Sequence, residues 1–170
     1  PMALAVTHVI LIIVLLDIFR HYVFGKNKFP RYFLIIGGIA GIIPDIDIPL
    51  TWLINFFPQT TINIHGLFTH SLLFPVLFLI VGAALHYKKK TKWAGIFYVI
   101  SAGWFFHLIL DCLFYGPILD SPLKNFFWPL PFFNFCPQWG IYQYAASIDA
   151  LILIIWLVHE EIHKKIKDYI

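Results

Sequence analysis

Residues 37–54 read GGIAGIIPDIDIPLTWLI. Two carboxylates, Asp45 and Asp47, stand in a run that is otherwise almost wholly apolar. An uninterrupted helix would carry them into hydrocarbon, where an ionised carboxylate is costly. Pro44, just ahead of them, breaks or bends a helix. Gly37, Gly38 and Gly41 permit close helix packing. The stretch therefore reads as a membrane helix broken at Pro44, with its acids at the break. Something in the fold must compensate their charge.

The rest of the chain agrees with a bilayer environment. It has 170 residues, of which 60% are hydrophobic and 12% charged, and a mean hydropathy of +0.80. Soluble domains are about 25% charged. One integral-membrane domain over residues 1–170 is expected. Pro1 ahead of Met2 reads as a processing scar, and the first apolar run as a retained helix rather than a cleaved signal. Cys112 and Cys136 are too few for a disulfide framework and read as two isolated buried thiols, with a pair as the other option.

A spanning helix needs about 20 apolar residues. Segments near 3–24, 32–55, 67–87, 93–115 and 145–162 qualify. The expected fold is all-α, a polytopic transmembrane bundle of about five helices. Its long outer loop, 116–144, is rich in Pro and aromatics (FFWPLPFFNFCPQW, 126–139). That loop reads as an interfacial aromatic belt or as a re-entrant lid over an acyl chain, and the two are compatible. Arg20, Lys26, Lys28 and Arg31, then Lys88, Lys89, Lys90 and Lys92, then Lys164, Lys165 and Lys167 fall on alternate connections. The positive-inside rule puts the N-terminus outside and the C-terminus in the cytoplasm of a plasma or inner membrane.

The polar residues converge in depth. At 1.5 Å of rise per residue, His8, Asp45, His70, His107, Asp111 and Asp149 lie roughly 21–27 Å from the basic end of their segments. That is the outer third of a core about 30 Å thick. Asp47 and His65 lie in the adjoining outer turns. Intramembrane ionisable residues are functional candidates that face the bundle interior. Imidazoles mixed with carboxylates are the ligands of a divalent metal, whose charge offsets theirs. The spacing supports this: HLILD puts His107 and Asp111 four apart on one face, and HGLFTHS brackets the start of the third segment with His65 and His70. The expected ligands are His8, Asp45, His70, His107 and Asp111. Asp47, His65 and Asp149 are candidates for further ligands, a general base, or groups that orient the imidazoles. The expected cofactor is two or more divalent ions, zinc first, with manganese or magnesium as alternatives.

A second motif, HEEIH at 159–163, matches the zinc-peptidase pattern. It sits in a charged terminal segment on the basic side with no evident third ligand, and reads as a helix end with i,i+4 pairs such as Glu160 with Lys164. Asp17 reads as neutralised by Arg20 and His21.

Taken in order, Thr7-His8, PDIDI at 44–48, HGLFTHS at 65–71, HLILD at 107–111 and WPL at 128–130 resemble the predicted membrane-bound metal-dependent hydrolases. That family is described as LexA-binding, inner-membrane-associated hydrolases. The likeness reaches to about residue 150. Gly66 stands where the family often has Arg. More loosely, the His/Asp set is similar to the zinc-dependent phospholipase C and single-strand nuclease superfamily. The resemblance implies a hydrolase.

A site of several ions suits phosphoester hydrolysis, here of a phospholipid or lipid-linked phosphate entering from the outer leaflet. A non-enzymatic metal-ion or proton transporter using the same residues is the alternative, and a protein with a purely structural metal is a third. Membrane lipids are the expected partners and nucleic acid is not. Oligomeric state is not legible.

Overall fold

The computed structural model describes residues 5–56, 64, 69–114, 127, 129 and 145–162. These residues are helical wherever they are regular, and no strand occurs among them. Helix α1 (Ala5–Ile18) continues into a π-helical turn, Phe19–Phe24, ended by Gly25 at φ 79°. Then come α2 (Tyr32–Ala40), a 3-10 turn (Ile43–Ile46) and α3 (Asp47–Asn55). Helices α4 (Leu73–Tyr87), α5 (Thr91–Phe114) and α6 (Ala145–Ile162) complete the order.

Val6–Phe24 and Thr91–Leu113 are each long and apolar enough to cross a membrane. Helices α2 and α3 make a third such span if taken together, bent by 48° at their junction. The break falls at Gly41–Ile42, just ahead of Pro44 in the 3-10 turn, because a proline lacks an N–H and clashes with the preceding turn of a helix. Helix α4, with 15 residues, is about 22 Å long, shorter than the hydrocarbon core. The long outer loop expected at 116–144 lies, apart from Phe127 and Pro129, outside the described residues, as does most of the connection 56–66.

Helix α5 is the hub, packing on α1, α2 and α4, while α1 also packs on α2 and α6. Ile12, Leu16, Phe33, Leu34 and Val99 form the dry core between α1, α2 and α5. Many apolar side chains point outward instead, among them Ile35, Trp52, Ile80 and Ile154, each more than half exposed. On a soluble protein such a surface would aggregate; in a bilayer it is the lipid contact. Cys112 is disulfide-bonded. This corrects the reading of two isolated thiols, since distance along the chain carries no information about nearness in the fold. The other cysteine, Cys136, lies outside the described residues.

Two glycines set how closely the backbones approach. A Cβ on Gly103 of α5 would meet the Gly37 carbonyl oxygen at 2.7 Å and Ala40 Cβ at 2.8 Å. A Cβ on Gly41 would run into Ile12 Cδ1 and meet the His8 carbonyl oxygen at 3.1 Å. Backbone cannot yield as a side chain can. Gly103→Ala is therefore expected to destabilise the bundle by about 2 kcal/mol through overpacking, read as a lowered unfolding midpoint in detergent. Gly25→Ala, which meets no atom within 4 Å, tests only the backbone angle and should leave the α2–α5 contact intact.

Candidate metal centre

Four elements deliver donors to one point. Helix α1 brings His8, the 3-10 turn brings Asp45, the turn before α4 brings His70, and α5 brings His107 and Asp111. His70 and His107 are fully buried, and His8 and Asp111 nearly so. The donor atoms are close. His70 Nε2 lies 3.4 Å from Asp45 Oδ1 and 3.3 Å from Asp111 Oδ2. His107 Nε2 lies 3.5 Å from Asp45 Oδ1 and 3.1 Å from Asp111 Oδ2. The two Nε2 atoms are 3.3 Å apart, and His8 Nε2 is 3.3 Å from Asp111 Oδ1. Donors bonded to one ion at about 2.1 Å would stand roughly 3.0–3.4 Å apart, from octahedral to tetrahedral geometry. Two metal-capable groups result, His8–His107–Asp111 and Asp45–His70–His107, sharing His107.

The outer partners fix which nitrogens face inward. His107 Nδ1 is 2.7 Å from the Gly41 carbonyl oxygen, which can only accept, so Nδ1 carries the proton. A neutral His107 therefore presents the lone pair of Nε2. Thr69 Oγ1 donates to Asp47 Oδ2 at 2.6 Å and stands 3.0 Å from His70 Nδ1. His70 Nδ1–H then donates to that hydroxyl or to Asp47, 3.4 Å away, and its Nε2 likewise faces inward bare. If both imidazoles are neutral, two lone pairs stand 3.3 Å apart next to two carboxylates, an arrangement that a divalent cation between them relieves. Among the described residues, no Lys or Arg is paired with Asp45 or Asp111. Neutral imidazoles with Asp45 and Asp111 sum to two negative charges, which one divalent ion cancels.

The remaining expected residues stand further out. Asp47, at the start of α3, is buried behind Thr69 and His70. Asp149 of α6 accepts from Thr7 Oγ1 at 2.6 Å, one residue before His8, and so ties α6 to α1. His65, Trp128 and Leu130 lie outside the described residues. The Thr69 hydroxyl bonds Asp47, and the Thr69 carbonyl accepts Trp104 Nε1–H at 2.9 Å. Its backbone is thus held by α5 while its side chain aligns His70. Sequence read Gly41 only as a packing position; its carbonyl's bond to His107 leaves no side-chain signal.

At the basic end, Asp17, His21 and Glu160 also approach within metal-binding range, so HEEIH does find company the sequence did not show. Its nitrogens, however, are engaged. His159 pairs with Tyr22 Oη at 2.6 Å and Glu160 Oε1 at 3.1 Å. His21 Nδ1 donates to the Asp17 carbonyl at 3.0 Å, and Arg20 supplies a buried cation 3.7 Å from Asp17. This cluster fastens α6 to α1. His163 lies outside the described residues.

A family model described as YdjM inner membrane protein matches residues 2–164. The chain belongs to that family, and it is a membrane protein. No curated protein and no solved structure matches it.

Elemental analysis of the purified protein is expected to find tightly held zinc or another divalent transition metal, absent from His107→Ala. Asp47→Asn and Thr69→Val should weaken metal affinity by about 10- to 100-fold without abolishing it, the usual cost of losing a partner that orients a ligand. Unchanged metal content in His107→Ala would overturn the site.

Proposed function

We propose that this member of the YdjM inner membrane protein family is an integral-membrane metal-dependent hydrolase, a phosphoesterase acting on a phospholipid or lipid-linked phosphate. The observation that carries the reading is the convergence of His70, His107, Asp45 and Asp111, with both imidazoles' Nδ1 turned away onto fixed acceptors. Such preorganisation exceeds what an ordinary buried hydrogen-bond network needs. The fit to a divalent ion rests on the charge balance and on the donor separations.

An ion held there would lower the pKa of a water and withdraw charge from a phosphoryl oxygen. The protein's own contributions follow from its geometry. Gly41 and the Thr69–Asp47 pair hold two imidazoles in one tautomer. Asp45 is the most accessible donor, its side chain 17% exposed against 0% for His70 and His107, which marks the side from which a substrate oxygen would approach. Among the described residues, the Ser71 hydroxyl and His8 Nδ1 are buried without a hydrogen-bond partner. They are the candidates for binding that oxygen and for carrying a proton, and Asp149, through Thr7, steadies the segment that holds His8. Ile12 and Leu16 fill the bundle between His8 and Asp17. That apolar plug, across about 13 Å of α1, favours an enzyme over a transporter, which would need a continuous polar track.

The proposal includes five spans, with the basic connections in the cytoplasm and the metal centre facing outward. A disulfide at Cys112, one residue beyond Asp111, suits that side, since disulfides persist in oxidising compartments. Substrate would then enter sideways from the outer leaflet. Purified protein in lipid, offered a panel of phosphomonoester and phosphodiester lipids with zinc, is expected to release phosphate or a phosphorylated headgroup. Asp45→Ala and His107→Ala should each lower kcat by about 1000-fold or more while still inserting. No turnover across the panel, together with metal flux into liposomes, would replace this reading with the transporter.

A further inference from the structure

A cavity of about 550 Å³ runs beside α1, α2 and α5, away from the metal centre. Its walls are apolar and aromatic, including Leu16, Phe19, Phe33, Val99 and Phe106. Four of its lining residues are polar, Lys28, His86, Thr91 and Tyr98; the first three belong to the basic end, and Tyr98 stands about two turns further along α5. Lys28 follows the π-helical turn, His86 is in the last turn of α4, and Thr91 opens α5. Among the described residues no hydrogen bond or ion pair occupies any of the four. An apolar slot ending in unpartnered donors and a cation matches one kind of ligand, an apolar chain that ends in an anion.

Dimensions agree. From Thr91 to Phe106 the lining follows α5 for about 22 Å, more than one leaflet's half of a core about 30 Å thick. An acyl chain can therefore lie inside it to its terminal methyl. Two of its lining residues, His86 and Thr91, flank the basic run Lys88–Lys90, the kind of segment that attracts anionic headgroups.

We propose that this cavity binds one anionic phospholipid, its acyl chain along α5 and its phosphate against Lys28, His86 and Thr91. A choline headgroup would bring a second cation to Lys28 and is disfavoured. Thr91 and His107 are separated along α5 by about 24 Å, so a phosphate beside Thr91 cannot reach the Asp45–His107 centre. The lipid is a resident ligand and not the substrate, and the inference is independent of the hydrolase reading.

The test is native mass spectrometry of the full-length protein with equimolar phosphatidylglycerol and phosphatidylcholine. One phosphatidylglycerol per chain is expected to remain bound, favoured by about tenfold. Lys28→Glu, at an exposed loop position, should erase that preference, and Ala102→Trp, which fills the cavity, should remove both lipids. Lys164→Glu, the same charge change in the C-terminal segment, should leave binding as in the parent protein. Equal retention of the two lipids, or unchanged preference in Lys28→Glu, overturns the proposal. If Ala102→Trp does not fold, Lys28→Glu still decides.

Discussion

Two carboxylates and three imidazoles buried in an apolar bundle must compensate one another's charge. Desolvation penalises every charge there, and no water is available to relieve it. Asp45 and Asp111 face the Nε2 atoms of His70 and His107 within 3.5 Å. The surrounding fold is organised to make that meeting both possible and exclusive. Pro44 breaks the second span so that Asp45 turns inward at a 3-10 turn instead of pointing at lipid. Gly41 and Gly103 let α1, α2 and α5 close on one another, and Gly41 also supplies the carbonyl that sets the tautomer of His107.

The same constraint explains why the polar residues come in layers. Thr7, Thr69, Asp47 and Asp149 do not add donors to the centre. They take up the outward-facing atoms of the groups that do, or tether the helices carrying them. Thr69 is held from both directions, its hydroxyl on Asp47 and its carbonyl under Trp104 Nε1. A ligand whose partners are held in this way loses little entropy when it engages an ion. At the opposite end, Asp17, Arg20, His21 and Glu160 satisfy a different need. They give the α1–α6 contact a polar anchor where the helices leave the membrane, and Ile12 and Leu16 keep the two polar regions apart.

Much of this was legible in the chain. Depth counting along apolar segments placed His8, Asp45, His70, His107 and Asp111 at one level, because helical rise is the same in every segment. The Pro44 break was legible because proline's missing N–H acts locally. The standing of Asp47 was left open among further ligand, general base and orienting group; the 3-10 turn puts Asp45 beside the Nε2 atoms and Asp47 beside Thr69 and His70 Nδ1. Nor was the pairing of Cys112 legible, because nearness across a fold is not written in spacing. The company that Asp17 and His21 give Glu160 was hidden for the same reason, since those residues are 139–143 positions apart in the chain.

Taken alone, the amino-acid order determined that this is an all-helical membrane protein and which side chains are too polar to face lipid. Those properties follow from hydropathy, helical rise and the cost of burying charge, and each acts within a single segment. The tertiary structure decided which of those side chains share one centre, which nitrogen each imidazole presents, and which acids only support their neighbours. It also decided that the basic end encloses an aromatic cavity, since Lys28, His86 and Thr91 come from three separate elements. Such facts depend on distances between helices, and those are set by packing at Gly41 and Gly103 and by hydrogen bonds that no single segment contains.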